Sequence, residues 1–250
     1  MRTPIIAVNA LTSCSGCQLS LLNCEEELPS ISEHVRFSSF PLACSSEEEC
    51  AQYDAVLVEG AVSTAADVDI LMRMRARGRL LVAFGTCAAW GGIAGLKNDE
   101  DRMQLVGRIY GGYSDIRSFP PQPVRRFVSV DFVIPGCPPE RHEILAVLGG
   151  LLRGTLPVLP RYPVCMECRM RENRCLLEED DLLCLGPLVQ AGCNARCPGV
   201  SVPCEGCRGP AAEANTTSAL ELFAAKGLSA EQVASRMSRF CTEWNDAGRH

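Results

Sequence analysis

The fold is decided by residues 5–22, which read IIAVNALTSCSGCQLSLL. The stretch begins with a short and mainly apolar segment, residues 5–9, as in a buried strand of a parallel sheet. A polar turn with two cysteines, Cys14 and Cys17, comes next, and the residues after the turn have the composition of a helix. The stretch therefore predicts a strand, a turn and a helix, with a pair of thiols in the turn.

The same alternation of apolar segments and helical patterns continues outward from this stretch. Each later apolar segment is followed within a few residues by Gly, Ser, Thr or Pro, which are turn signals. The predicted strands are residues 5–9, 55–58, 80–84 and 132–134, and the predicted helices are residues 18–27, 67–77 and 140–152. Because strands that alternate with helices favour a parallel sheet, we predict an α/β domain over residues 1–156.

Cysteine is the most informative residue type, with sixteen in 250 residues. A secreted, disulfide-rich domain is one explanation, but such domains are usually short and carry a signal peptide. The first residues show no charged region, apolar core or cleavage site of that kind, so we expect no export signal and a cytoplasmic location. In that compartment so many thiols indicate metal or redox chemistry.

Charge and hydropathy exclude two classes of partner. The net charge is -6, from 24 basic and 30 acidic residues, and no run of Lys or Arg is longer than a pair. We therefore expect no nucleic acid partner. No apolar run approaches the roughly 20 residues that span a bilayer, so we also expect no direct membrane anchor.

Cysteines follow three of the four predicted strands. Cys14 and Cys17 follow the first strand, Cys87 the third and Cys137 the fourth. Since ligands of a doubly wound sheet gather at the carboxyl ends of its strands, these four thiols are predicted to converge at one edge. The glycines before Cys87 and Cys137 permit tight turns that expose the thiols. The Cys14 and Cys17 pair taken alone also fits a zinc site or a redox dithiol.

A second domain is predicted over residues 157–250. A proline-rich linker leads into residues 165–207, which contain eight cysteines and little hydrophobic periodicity. Packing alone would not order such a segment, so metal clusters would have to organise it. Two helices are predicted after it, one over residues 218–226 that ends at Gly227, and one opened by Ser229 with Gln232 at capping-box spacing.

Four motifs in the first domain carry a family resemblance. They are LTSCSGCQLSLL at residues 11–22, VEGA at 58–61, GTCAAWGG at 85–92 and PGCPP at 135–139. In this order they resemble the small subunit of nickel-iron hydrogenases. The resemblance implies a flavodoxin-like domain whose Cys14, Cys17, Cys87 and Cys137 hold a proximal 4Fe-4S cluster. That cluster would face the nickel-iron site of a separate large subunit, and this chain would have no hydrogen-splitting centre of its own.

The cysteine-rich segment resembles part of the same family. CLGP at residues 184–187 and PCEGCRGP at 203–210 are similar to the medial and distal cluster region of cytoplasmic methyl-viologen-reducing, deazaflavin-reducing and sulfur-reducing hydrogenases. The resemblance implies a distal 4Fe-4S cluster on Cys165, Cys168, Cys175 and Cys184, and a medial one on Cys193, Cys197, Cys204 and Cys207. A cysteine before proline, as in Cys197–Pro198, ligates the neighbouring cluster in ferredoxins, so swapped partners stay open.

The function implied by the resemblance is an oxidoreductase subunit that relays electrons through three 4Fe-4S clusters. Its partners would be the hydrogenase large subunit and a downstream redox subunit that is linked to heterodisulfide reductase or is of flavin or ferredoxin type. The sequence leaves the electron acceptor open. Two other interpretations are a complex I-like quinone-reductase subunit, which would be expected to lack the cysteine-rich tail, and a zinc-stabilised interaction module.

The remaining candidates have both a structural and a functional interpretation. Glu59 follows an apolar strand and is either a hydrogen-bonded carboxylate at the core edge or a cofactor-binding residue near the proximal cluster or on a proton route. Four cysteines fall outside the twelve proposed ligands, and we interpret them as buried small residues or idle thiols: Cys24, Cys44, Cys50 and Cys241. The acidic run at residues 178–181 is predicted to be a solvated loop.

Overall fold

The computed structural model describes residues 3–44, 50–111 and 116–244. It divides into two compact units, Met1–Pro157 and Val158–His250. Residues 245–250, at the end of the predicted second domain, lie outside the described residues.

The first unit is built on a five-stranded sheet. Its strands are β1 Ile5–Ala10, β2 Arg36–Ser39, β3 Tyr53–Glu59, β4 Gly78–Phe84 and β5 Phe132–Ile134. The strand order is β2-β1-β3-β4-β5, and all neighbouring strands are parallel. This is the doubly wound order of flavodoxin-like folds, so the predicted fold class is confirmed.

Ten α-helices are described over the two units. Those of the first unit are α1 Gly16–Leu22, α2 Leu28–Ser32, α3 Ala65–Arg77, α4 Thr86–Trp90, α5 Arg102–Tyr110 and α6 Arg141–Arg153. Those of the second unit are α7 Val164–Met170, α8 Leu176–Glu179, α9 Thr216–Ala225 and α10 Ala230–Ser238. None of the helices in the described ranges combines the length and the apolar character needed to cross a membrane.

The sheet of the first unit is covered on both faces. One face packs Leu57 of β3 against α1 and α6, and the other packs Val58 of β3 against α3. Successive residues of a strand point to opposite faces, so a strand that is buried on both sides must be apolar at every position. This explains the continuous apolar runs by which four of the strands were predicted.

Several details of the first unit differ from the sequence-based prediction, which did not include helices α4 and α5. Strand β2 was not predicted, because Arg36–Ser39 is only four residues long and carries little apolar character. The helix predicted over residues 18–27 ends at Leu22, and a separate helix starts at Leu28. Pro29 lies in the first turn of the second helix, where a missing N–H costs no hydrogen bond, whereas it would interrupt a continuous helix.

The second unit has few regular elements. The part of it that the structure describes, residues 158–244, contains no strand. Helix α10 begins with the predicted capping box between Ser229 and Gln232. The acidic run at residues 178–181 begins inside α8, and its carboxylates form ion pairs with Arg174 or Lys226. The run is therefore partly helical and ion-paired, whereas a solvated loop was predicted.

Candidate functional site

The four proposed proximal cysteines lie at the carboxyl edge of the sheet. Cys14 lies in the turn after β1, Cys17 in α1, Cys87 in α4 directly after β4, and Cys137 in the loop after β5. Burial raises the pKa of the Cys17 thiol, and the nearby Glu59, Cys87 and Cys137 raise it further. Cys14 likewise contributes to the raised pKa of Cys87, whose main cause is burial. The four thiols, distant in sequence, are thus electrostatic neighbours.

Hydrogen bonds join the loops that carry Cys87 and Cys137. Thr86 N–H donates to the carbonyl of Gly136 over 3.0 Å, and Gly136 N–H donates to Thr86 Oγ1 over 3.0 Å. Gly85 N–H donates to the carbonyl of Ile134 over 2.9 Å. These bonds extend the pairing of β4 and β5 past the strand ends, so the residues before the two cysteines are held side by side.

A similar junction joins the loops after β1 and β3. The amides and carbonyls of Thr12 and Ala61 exchange two hydrogen bonds of 3.1 and 3.0 Å. Gly60, between β3 and this junction, has φ +94°, and a Cβ atom there would lie 2.7 Å from the Thr12 carbonyl oxygen. The close approach that fixes the start of the Cys14 turn therefore requires glycine at position 60.

Two further glycines make room for the thiols themselves. A Cβ atom on Gly85 would lie 2.2 Å from Cys17 Sγ, and one on Gly92 would lie 2.6 Å from Cys87 Sγ. The sulfur atoms occupy space that any other residue would fill. The glycines of the GTCAAWGG motif thus shape a cradle for sulfur as well as permitting tight turns.

Glu59, the last residue of β3, is buried next to Cys17. Its Oε1 accepts a hydrogen bond from Cys17 N–H over 3.1 Å, and its Oε2 accepts from Gln18 N–H at 3.4 Å and from Gln18 Nε2 at 2.8 Å. These amides belong to the first turn of α1, which has no intrahelical acceptors for them. Glu59 thus anchors the helix start that carries Cys17, while its role as a cofactor-binding residue or on a proton route stays a prediction.

The donor set fits a group with several metal atoms. Among residues 3–44, 50–111 and 116–244, no three His, Cys, Asp or Glu side chains converge on the position of a single ion. A structural zinc site needs four ligands around one ion, whereas a 4Fe-4S cluster takes one thiolate at each of its four irons. Four neighbouring thiols, with glycines leaving space for their sulfur atoms, provide the one thiolate for each iron that a 4Fe-4S cluster needs.

In the second unit, Cys165, Cys168, Cys175 and Cys184 are electrostatic neighbours. Burial raises the pKa of Cys165 to about 12, with contributions from Cys184, Cys168 and Cys175. A Cβ atom on Gly186 would lie 3.1 Å from Cys165 Sγ and 3.6 Å from Cys184 Sγ. The CLGP motif thus places another glycine against two sulfur atoms.

Three of the other four cysteines also lie together. Burial raises the pKa of Cys204, and Cys184, Cys207 and Cys193 raise it further. Cys197 is exposed at the start of the 3-10 turn Pro198–Val200. Cys204 N–H donates to Cys184 Sγ over 3.2 Å, so the two groups of thiols adjoin at this point.

The cysteines outside the twelve proposed ligands have varied surroundings. Cys24 and Cys241 are buried, and Cys24 Sγ donates to the Ser20 carbonyl over 3.5 Å. Cys44 and Cys50 are half-buried, and Cys50 Sγ accepts from Arg36. All sixteen cysteines lie in the described ranges, and no two of them are joined by a disulfide.

Sequence reasoning missed three residues that organise these loops. Thr86 was quoted only as part of a motif, and Glu167 and Arg208 were not singled out. Glu167 lies between Cys165 and Cys168, and Arg208 directly follows Cys207; both are buried. The one signal in the sequence was a charged residue next to a predicted ligand. It could not show which groups each charged residue contacts, because those groups lie elsewhere in the chain.

Comparison with known proteins places these sites in a family context. Residues 14–151 match the family described as the NADH ubiquinone oxidoreductase 20 kDa subunit. The chain is 37% identical to the sulfhydrogenase 2 subunit delta of Pyrococcus furiosus, over 94% of this chain and 98% of the relative. It is 34% identical to a vhu subunit of the F420-non-reducing hydrogenase of Methanocaldococcus jannaschii, over 80% and 79% of the two chains.

Two solved structures have similar folds. A chain of an NAD+-reducing [NiFe]-hydrogenase superimposes with a TM-score of 0.57 at 30% identity, covering 64% of this chain and 96% of that one. A chain of the Ni-Fe-Se hydrogenase from Desulfomicrobium baculatum superimposes with a TM-score of 0.55, covering 84% of this chain and 95% of that one. Its identity is 20%, so that similarity concerns the fold alone.

Proposed function

Since this chain belongs to the NADH ubiquinone oxidoreductase 20 kDa subunit family and is a hydrogenase subunit, we propose that it carries electrons through three 4Fe-4S clusters between a nickel-iron large subunit and a redox partner. The observation that carries the proposal is the grouping of Cys14, Cys17, Cys87 and Cys137 at the carboxyl edge of the sheet. Each cluster would take up and release one electron, which no side chain of the chain can do at ordinary potentials.

The chain's own residues would hold these groups and restrict their surroundings. Cys14 and Cys137 are exposed while Cys17 is buried, so the proximal site opens to the exterior of the first unit on one side. We assign the large subunit to that open side, because its hydrogen-activating centre must lie within electron-transfer reach. Glu59 would keep Cys17 oriented through the amides of α1, as a residue next to the cluster.

In the second unit the proposed ligand sets are Cys165, Cys168, Cys175 and Cys184 for the distal cluster, and Cys193, Cys197, Cys204 and Cys207 for the medial one. The electrostatic neighbourhood of Cys165 supports the first set. That of Cys204 contains Cys207 and Cys193 from its own set and also Cys184 from the other, so it supports the closeness of the two sets and not the division between them. The downstream partner would dock near the distal set, with its acceptor of heterodisulfide reductase-linked, flavin or ferredoxin type. The proposal includes a cytoplasmic location, where thiols remain reduced until they bind iron.

The alternative functions have less support. The family description names a subunit of NADH ubiquinone oxidoreductase, but the relatives that match most of the chain are named hydrogenase subunits. The complex I-like interpretation therefore depends on a distant part of the family. A zinc-stabilised module has no support from these relatives, whose names are those of hydrogenase subunits.

Metal content tests the proposal. The chain, purified without oxygen together with its large subunit, is expected to be brown and to contain about twelve irons and twelve acid-labile sulfides per copy, four of each for every cluster, in addition to the iron of the nickel-iron site. Iron and sulfide assays measure this directly. A colourless preparation that contains zinc, or an iron content far below this value, would contradict the proposed relay.

The variant Cys137→Ala tests the proximal site. We expect the loss of about four irons per chain and of hydrogenase turnover in the complex, because one corner of the cluster has no thiolate. The metal content of the large subunit is expected to stay unchanged. Cys24→Ala is the matched control, since it removes a buried thiol outside the proposed sets and should leave iron content unaltered. Normal turnover of Cys137→Ala, with only the other clusters visible by electron paramagnetic resonance, would refute the assignment.

A further inference from the structure

Glu167 is a buried carboxylate that connects the two groups of thiols in the second unit. It lies on α7 between Cys165 and Cys168, but its side chain reaches the loop around Cys193. Oε1 accepts a hydrogen bond from Gly192 N–H over 2.8 Å, and Oε2 accepts from Ala195 N–H over 3.1 Å. Cys193 Sγ lies 4.0 Å from Oε2. One side chain thus holds both flanks of a proposed medial ligand from the helix of two proposed distal ligands.

The Cys193 loop needs such support because of its backbone conformation. Gly192, Asn194 and Ala195 have φ values of 119°, 56° and 48°. Positive φ brings the Cβ of a non-glycine residue close to its own backbone, and it is less favourable for alanine than for glycine or asparagine. Two consecutive non-glycine residues in this conformation must be held by contacts from outside the loop, and the bond from Ala195 N–H to Glu167 is one of them.

A buried cation holds the same loop from the other direction. Arg208, directly after Cys207, is 1% exposed, and its Nε donates to the carbonyls of Gln190 at 3.1 Å and Ala191 at 3.0 Å. The carbonyls of Gln190 and Ala191 therefore face the Arg208 cation, and the amides of Gly192 and Ala195 face the Glu167 carboxylate. This complementarity fixes the loop in one position relative to α7.

The two groups of thiols also meet through the backbone. Cys204 N–H donates to Cys184 Sγ over 3.2 Å, and Leu185 N–H donates to the Cys204 carbonyl over 2.9 Å. The two groups are thus joined both through these backbone contacts and through Glu167, whose side chain can be substituted without removing a thiol.

We propose that Glu167 is a positioning residue that fixes the Cys193 loop on α7 and thereby sets the separation and the relative potentials of the two clusters of the second unit. The proposal rests on the proposed function, because it assumes clusters on these cysteines. A carboxylate suits the role, since its two oxygens accept from two amides at once. Glutamine would turn an NH₂ group toward one of the amides, and aspartate would be one methylene too short.

The test compares Glu167→Gln, Glu167→Asp and the control Glu221→Gln in the complex with the large subunit, purified without oxygen. Glu221 is an exposed carboxylate on α9, so its replacement makes the same charge change away from the thiols. Iron content, cluster potentials from redox titration and the magnetic coupling between the reduced clusters are measured, the last by electron paramagnetic resonance. We expect both Glu167 variants to change the coupling and the potential of one cluster, or to lose about four irons. The control should match the wild type.

A second substitution separates positioning from general loss of folding. Ala195→Gly removes the conformational penalty at φ 48°, so it should restore iron content and coupling to Glu167→Asp. Wild-type coupling and potentials in Glu167→Asp, a shift in Glu167→Gln alone, or no restoration by Ala195→Gly would overturn the proposal. If the wild-type chain contains about twelve irons, the proposed function stands whichever of these results the variants give. A wild-type chain without clusters would refute that function instead.

Discussion

At the scale of single residues, the site depends on glycines, which have no side chain, as much as on cysteines. Gly85 and Gly92 lie within the same motif as Cys87, and each provides the space that a sulfur atom occupies. Gly85 also has φ +88° and ψ 168°, a combination that essentially only glycine adopts. The glycines of the motif therefore leave the space that the thiols need at the edge of the sheet.

We predict that Gly85→Ala abolishes the proximal cluster although every cysteine remains. The new Cβ would lie 2.2 Å from Cys17 Sγ, so the thiol must leave its position. Iron content should fall by about four per chain, as assayed on the complex purified without oxygen.

Gly154→Ala is the matched control for this effect. Gly154 has a similar positive φ of +73°, but a Cβ atom there has no heavy atom within 4 Å. This variant should lower the free energy of unfolding by about 1 kcal/mol and leave iron content unchanged. Equal iron content in the two variants would show that the contact with Cys17 is not important.

At the scale of elements, helix α10 is attached to a loop that carries two proposed ligands. Glu205 lies between Cys204 and Cys207 and forms ion pairs with Arg236 in α10 and with Arg239 just after it. The three side chains are 26 to 42% exposed, so each pair is a partly solvated interaction of modest strength. The helix thus restrains the loop electrostatically.

We predict that Glu205→Gln destabilises the second unit by about 1 kcal/mol at low ionic strength, because two partly exposed ion pairs are lost. In about 1 M salt, where the screening length is near 3 Å, the difference should shrink. Thermal denaturation of holo-protein at the two ionic strengths measures this. Glu213→Gln is the control, since its pair with Arg161 is 3.9 Å long and exposed, and it should have no effect. A difference that does not depend on salt would contradict the electrostatic explanation.

At the scale of the whole molecule, the two units differ in what orders them. The first has a five-stranded sheet with apolar residues packed on both faces. The described part of the second unit has short helices and turns, with eight cysteines between residues 165 and 207. Where regular hydrogen-bonded structure is sparse, metal binding contributes directly to folding.

We therefore predict that removal of iron unfolds the second unit and leaves the sheet intact. Amide hydrogen exchange of chelator-treated full-length chain should show loss of protection over residues 158–244 and retained protection in β1, β3 and β4. Restoring iron and sulfide should restore protection, which serves as the control for irreversible damage. Protection that survives in both units, or is lost in both, would contradict this division.

The sequence by itself determined the α/β class, four of the five strands and the convergence of Cys14, Cys17, Cys87 and Cys137 at one edge of the sheet. Buried parallel strands must be continuously apolar, and Cys14, Cys87 and Cys137 each follow such a strand. The rule that strand ends meet at one edge then brought them together without coordinates. Strand β2 was missed because it is too short and too polar to be recognised by this pattern.

The tertiary structure alone decided how the ligand loops are held. Glu59 bonds to amides 42 and 41 residues away, and Glu167 to amides 25 and 28 residues away. A carboxylate that accepts from a distant backbone leaves no periodicity in the sequence, because its partner is an amide that every residue except proline possesses. Periodic apolar patterns therefore determined where the chain forms strands, while the contacts that orient the thiols arise only when the loops meet in space.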